Sequence, residues 1–220
     1  MIILALLAGF VNAVVIFCYD GMTVSHVTGL ISKFSVSVSV GDFVGCLGLA
    51  AVILAFFAGA VVAGVATGER AFHLDAVYGC IIISIGLLIL LPLVLDATHT
   101  VILLAFLMGL QNGMVVSFRG ILVRSTHMTG NITDLGVYLG YKIRGDRNEK
   151  PIYGIVPALT IAGFILGGII GILLYEFIGS YVFVAASAVY IILGTVYFYL
   201  QKTCVDKDFN GVPDSLEPQE

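Results

Sequence analysis

Residues 24–29 read Val24-Ser25-His26-Val27-Thr28-Gly29, and residues 126–131 read Thr126-His127-Met128-Thr129-Gly130-Asn131. The His-x-Thr-Gly string thus occurs twice, 101 positions apart (127 − 26), and marks an internal duplication. A duplication decides the architecture before any single segment is interpreted, because both copies should adopt one local fold. Outward from it, Gly9-Phe10-Val11-Asn12 recurs as Gly109-Leu110-Gln111-Asn112. Ala55, Gly59 and Ala63 match Gly163, Gly167 and Gly171 at a constant offset of 108, and Gly86 matches Gly194. The offset grows from 100 through 101 to 108, with its largest step near the polar loop 142–151, as loop insertions between elements of fixed length would give. Two halves follow, residues 1–97 and 98–200, then a polar tail, 201–220.

Each half is too apolar to dissolve. The chain is 60% hydrophobic and 11% charged with a mean hydropathy of +1.10, where a soluble domain carries about 25% charged residues. Its apolar residues form runs at 2–17, 43–66, 76–95, 101–116, 152–175 and 181–200, each long enough to cross the ~30 Å hydrocarbon core. Soluble enzymes, nucleic-acid binders and secreted disulfide modules are excluded as classes. Cys18, Cys46, Cys80 and Cys204 show no paired spacing, so neither a disulfide nor a thiolate metal site is expected. No basic stretch precedes the first run, which is therefore expected to belong to the fold and not to a signal peptide. The expected fold is an all-α polytopic membrane protein: six strong transmembrane helices in two three-span repeats, plus two weaker segments. Those segments, 22–40 and 121–141, hold Ser, Thr, His, Gly and a charge, and are expected to be broken or re-entrant helices.

Lys and Arg collect on the cytoplasmic side of membrane proteins. If the weak segments do not cross, one side holds Arg70, Arg119, Arg124, Lys142, Arg144, Arg147, Lys150, Lys202 and Lys207, and the other holds Lys33 alone. If they cross, Arg70, Arg119 and Arg124 move outside. The first arrangement suits the rule better. It makes the two repeats inverted, with both termini cytoplasmic. The net charge of −4 comes mostly from the tail, where Asp206, Asp208, Asp214, Glu217 and Glu220 outweigh Lys202 and Lys207.

Little polar chemistry is left inside the apolar body. Ala55-x₃-Gly59-x₃-Ala63 and Gly163-x₃-Gly167-x₃-Gly171 put small residues on one helix face, which marks helix–helix seams in lipid. On a helix, His127, Asn131 and Asp134 share a face at i, i+4 and i+7; the first half puts His26, Leu30 and Lys33 there. Intramembrane charges usually pair or face water, so Lys33 and Asp134 are expected to approach one another at a pseudo-two-fold axis. His26 and His127 are open to two roles, proton relay or helix packing. Asn12 and Asn112 are equally open, to interhelical hydrogen bonding or ligand contact, and Gln111 enlarges the polar spot in the second half.

The strings around Gly9, Asn12, His26 and Gly29, with Met108-Gly109-Leu110-Gln111-Asn112 and Thr126–Asn131, resemble the YoaK-type bacterial inner-membrane proteins (domain of unknown function 1275) over residues 1–200. The resemblance implies a multi-spanning inner-membrane protein of about six helices with no assigned activity. Asn12 stands where many members carry Asp, and Leu30 replaces the Asn that ends the first Thr-Gly-Asn, so the second motif is the better candidate site.

The tail adds Asp206-Lys207-Asp208-Phe209-Asn210-Gly211 and, five residues on, Glu217. This fits a Ca²⁺ loop with ligands Asp206, Asp208, Asn210, Val212, Asp214 and Glu217; Pro213 and the lack of an exit helix depart from it. The function expected is a small-solute transporter or channel with a midplane site at the repeat interface. Its pathway residues are His26, Thr28, Lys33, Asn112, His127, Thr129, Asn131 and Asp134. Its partners are the bilayer, a small molecule or ion and a second copy of the chain, with no nucleic acid. The alternative is a non-transporting sensor or assembly protein with a Ca²⁺-responsive tail. No HExxH, GxSxG or nucleophile–base pair occurs, so no enzyme is expected.

Overall fold

The computed structural model describes residues 1–68, 76–114, 116–118, 121–145 and 150–204. Each of the six apolar runs contains a helix: α1 (Ile2–Cys18), α3 (Phe43–Thr67), α4 (Ala76–Leu88, followed by a 3-10 turn at Leu91–Leu93), α5 (Ala97–Gly113, short of the end of its run), α7 (Ile152–Ile178) and α8 (Val182–Cys204). Two shorter helices, α2 (Val27–Val40) and α6 (Met128–Ile143), follow α1 and α5. The stretches Phe43–Thr67, Ala76–Leu93 and Ile152–Gln201 are long and apolar enough to cross a membrane. α1 and α5 stop at 17 residues, a rise of about 25 Å, because the chain turns back on itself after each.

Small residues set the helix directions. Gly163, Gly167 and Gly171 of α7 meet Ile2, Leu6 and Phe10 of α1, so the two helices run parallel. Gly59 on α3 meets Phe106 of α5, and Gly113 of α5 meets Ala63, again parallel. α4 and α8 are antiparallel: Gly79 faces Tyr197 and Phe198, while Gly86 faces Tyr190 and Ile191. The closest approaches are backbone against backbone. A Cβ at Gly9 would strike the Phe164 carbonyl oxygen, and one at Gly109 the Phe56 carbonyl; Gly167 abuts the Leu6 carbonyl and Gly59 the Phe106 carbonyl. These contacts pair off under the offsets read in the sequence (109 − 9 = 106 − 6 = 100; 164 − 56 = 167 − 59 = 108).

The weak segments are not continuous helices: each is broken before its motif helix, which begins only at Val27 and at Met128. After α1 the backbone turns through Asp20 (φ 47°) and Gly21 (φ 68°). Residues 22–26 then return alongside α1 until the Val24 and Ser25 amides reach Asn12. α2 starts at that depth and heads outward again, since the Lys33 ammonium donates to the Gly21 carbonyl at 3.0 Å. Gly41 (φ 75°) ends α2 in the left-handed region, and Asp42 caps α3 by accepting from the Gly45 amide. The second half adds a two-stranded antiparallel hairpin, β1 (Val116–Phe118) with β2 (Ile121–Val123), before its break, a turn, at 124–127. α2 packs on α3, and α6 on α7.

The breaks lie inside the protein. Val24, Ser25, Ser125 and Thr126 are buried, Val24 in one apolar cluster with Leu7, Val11, Leu104 and Met108, and burial in protein is what makes irregular backbone tolerable at membrane depth. At the other connection, Asp96 caps α5 through the Thr98 and His99 amides. The hydrogen bond from the His99 side chain holds the Asp96 carboxyl below its ordinary range.

Candidate functional site

Asn12, on the buried face of α1, is the anchor of the first break. Its Oδ1 accepts from the Val24 amide (3.1 Å), the Ser25 amide (3.3 Å) and the Ser25 hydroxyl (3.0 Å). Non-helical backbone has no partner of its own, and lipid supplies none, so one side chain satisfies donors that would otherwise be orphaned. Asn112 does the corresponding job on α5, its Oδ1 accepting from the Thr126 hydroxyl at 2.6 Å. Both asparagines thus make interhelix-to-break hydrogen bonds. Asn12→Ala is expected to cost about 2–4 kcal/mol, since it strands two amides and a hydroxyl. Asn12→Asp keeps the acceptor and should preserve the fold. Unfolding midpoints of the purified variants check this; an alanine variant as stable as the parent would remove the anchoring role.

The histidines cap the motif helices but sit differently. His26 precedes α2, is half-buried, and lies 3.3 Å through Nδ1 from the Ser25 hydroxyl, with its ring edge-on to Phe164 at 5.6 Å. It lines a groove of about 580 Å³ with Gly9, Asn12, Phe164 and Gly168. His127 precedes α6, is exposed, and folds its ring over Gly130, where a Cβ would collide with it. Nothing lies near the corresponding Gly29. The second Thr-Gly glycine therefore makes room for an imidazole, and the first does not.

The structure does not bring the other motif residues together. Thr28 and Thr129 are exposed, and their carbonyls accept from the Ser32 and Thr133 hydroxyls. Lys33 and Asp134 are both exposed and unpaired with each other; the one ion pair among the described residues is Asp96–His99. The expected Lys33–Asp134 approach is therefore not found. Of the shared face on α6, only Asn131 is buried, and its Nδ2 has no hydrogen-bond partner among the described residues. None of four cavities in the described residues is lined by both α2 and α6. The proposed Ca²⁺ ligands Asp206, Asp208, Asn210, Val212, Asp214 and Glu217 lie outside the described residues.

A polar hub joins the second break to three helices. Gln111 of α5 donates through Nε2 to the Leu4 carbonyl of α1 (2.9 Å) and to the Ser125 hydroxyl (2.8 Å), and its Oε1 accepts from the Tyr190 hydroxyl of α8. Gln111 and Tyr190 are fully buried. Sequence reasoning noted Gln111 as polar but missed its partners. The available signal was Tyr190 itself, since a tyrosine deep in an apolar run needs a partner for its hydroxyl.

A family model described as "Protein of unknown function (DUF1275)" matches residues 1–196. No curated protein and no solved structure matches the chain.

Proposed function

This chain belongs to the DUF1275 family of proteins of unknown function, a membrane protein by its apolar helices, and on that footing we propose that it is an inverted-repeat transporter or channel for a small solute. The observation that carries the reading is the pair of buried helix breaks, each pinned by an asparagine at an equivalent position. Broken segments packed between inverted repeats are the pattern of midplane solute sites in transporters. The repeats are supported by the glycine contacts that recur under the sequence offsets. Inversion is supported by the helix directions: α1 is antiparallel to α5, since Gln111 near the end of one bonds Leu4 near the start of the other.

With three crossings per half, α2 and α6 enter and leave on one side. Met1, Tyr78, Met114 and Tyr197 gather around a cavity at one end, the end from which α7 starts. Lys142, Arg144 and Lys150 border that start, whereas Lys33 is at the other end beside Gly21. Positive-inside placement then puts both termini in the cytoplasm of a bacterial inner membrane.

In this reading Asn131 contacts the solute, because its buried Nδ2 is a donor without a partner among the described residues. Thr129, His127 and Asp134 flank it on the exposed side, while His26, Thr28 and Lys33 are the first half's counterparts. Asn131→Leu installs the residue that the first half has at Leu30. The variant is expected to be more stable by about 1–2 kcal/mol, since an unsatisfied buried amide is removed, and to lose at least about tenfold of solute flux in proteoliposomes, a factor worth about 1.4 kcal/mol. A panel of ions, amino acids and sugars that shows no flux above protein-free vesicles rules out the transport reading. Equal flux in Asn131→Leu rules out the assignment of Asn131.

A further inference from the structure

We propose that the cavity between α2 and α3 binds the headgroup of a zwitterionic phospholipid, its phosphate against Lys33 and Ser37 and its primary ammonium against Asp42. The cavity measures about 620 Å³, with Met22, Val36 and Leu49 on its apolar walls and Ser32, Lys33, Ser37 and Asp42 as its polar ones.

Lys33, Ser37 and Asp42 each have hydrogen-bonding capacity left over. Lys33 has three donor protons and makes one hydrogen bond among the described residues, to the Gly21 carbonyl. Ser32, Ser35 and Ser39 of α2 each donate to the carbonyl four residues back. Ser32 and Ser37 both line the cavity, and of the two only Ser37 makes no such bond among the described residues. Asp42 uses Oδ1 to cap the Gly45 amide, and its Oδ2 nestles where a Cβ on Gly45 would stand. Gly45 therefore keeps the carboxylate seated at the wall.

The charges select the ligand. Lys33 and Asp42 line one space yet do not form an ion pair. A simple anion would answer Lys33 and leave the carboxylate facing it; a simple cation would do the reverse. A molecule with both charges answers each with a charge-assisted hydrogen bond. The surroundings favour a lipid over a soluble zwitterion. Gly45, Gly48 and Leu49 lie in the first two turns of α3, within about 10 Å of its start, the depth of a headgroup on a spanning helix. Phe43, Val44 and Leu47 expose 79%, 82% and 73% of their surface there, and Val36 and Val40 on α2 are also exposed. Such a surface suits acyl chains.

The inference rests on α3 spanning the membrane and not on solute transport, so a protein without flux leaves it standing. The test is intact-complex mass spectrometry of the full chain released from maltoside micelles. Its probes are phosphatidylethanolamine, phosphatidylglycerol (the same phosphate without the ammonium) and soluble phosphoethanolamine. Phosphatidylethanolamine is expected to be retained about tenfold better than phosphatidylglycerol, a difference set by the Asp42 contact. Asp42→Asn, which keeps a helix cap, should erase that preference; Lys33→Gln and Ser37→Ala should weaken both lipids. Gly45→Ala, which pushes the carboxylate out without changing any charge, should act like Asp42→Asn. Equal retention of the two lipids by the parent protein, or a preference untouched by Asp42→Asn, overturns the site. Retention of phosphoethanolamine but of neither lipid overturns the assignment to lipid.

Discussion

Alanine at Gly167 is expected to destabilise the bundle by more than about 3 kcal/mol, and alanine at Gly9, Gly59 or Gly109 by a similar amount. At all four positions the added Cβ would overlap a backbone carbonyl oxygen of the facing helix. A clash with a side-chain tip can be relieved by a rotamer change, but a clash with a helix backbone moves the whole helix. In lipid the loss has no compensation, because helix association rests on close van der Waals contact and not on exclusion of water. Separating α1 from α7 by the width of a methyl group forfeits contact along the entire seam. Gly29→Ala and Gly136→Ala are the controls. Both lie in helices with nothing within 4 Å of the added Cβ, so they should be neutral or stabilising by about 0.5–1 kcal/mol. Reversible unfolding in mixed micelles measures the difference. If seam and control glycines respond alike, the seams are not what holds the helices together.

Gln111→Leu is the second large effect, expected at about 2–5 kcal/mol. The substitution strands the Tyr190 hydroxyl and the Ser125 hydroxyl, each fully or almost fully buried, at about 1–3 kcal/mol per orphaned group. The Leu4 carbonyl also loses its second partner. What marks the hub as a network is the predicted rescue. Combining Gln111→Leu with Tyr190→Phe and Ser125→Ala removes all the orphaned hydroxyls and should restore most of the stability, since replacing every partner by apolar groups is nearly neutral. The counterpart positions already have the apolar version: under the same offsets Gln111, Ser125 and Tyr190 map back to Val11, Val24 and Ile82, and Leu4 maps forward to Leu104, all buried. A triple variant no more stable than Gln111→Leu alone would mean that shape, not hydrogen bonding, makes Gln111 necessary. Double-mutant cycles between Gln111 and Tyr190 isolate the pairwise part.

The helix bounds were largely legible in advance. The run 2–17 became Ile2–Cys18 and the run 43–66 became Phe43–Thr67, because a backbone in lipid must close its hydrogen bonds within the segment, and only a helix does so over an apolar run. The seam glycines were legible for a related reason: small residues four apart on an apolar helix have no other strong use. What holds the motif segments was not. Their polar residues pointed to a broken helix, but the partner that holds each break lies far along the chain. Asn12 accepts from residues 12 and 13 positions away, and Gln111 bonds a residue 107 positions away.

The Lys33–Asp134 expectation failed for a geometric reason. In an inverted arrangement equivalent residues meet only where they lie on the two-fold axis. Away from it they fall at opposite ends, and α2 and α6 both lead outward from the centre, one on α3 and the other on α7.

The apolar runs by themselves determined a helical chain of the membrane class, since hydropathy is a local property that any stretch carries with it. Only the tertiary structure decided that each His-x-Thr-Gly string follows a non-helical break, that an asparagine on the preceding helix holds that break, and that the second break alone is tied to a buried glutamine. Those outcomes depend on which donors and acceptors meet across the bundle, and hydrogen bonding between distant segments leaves no periodic trace in the chain.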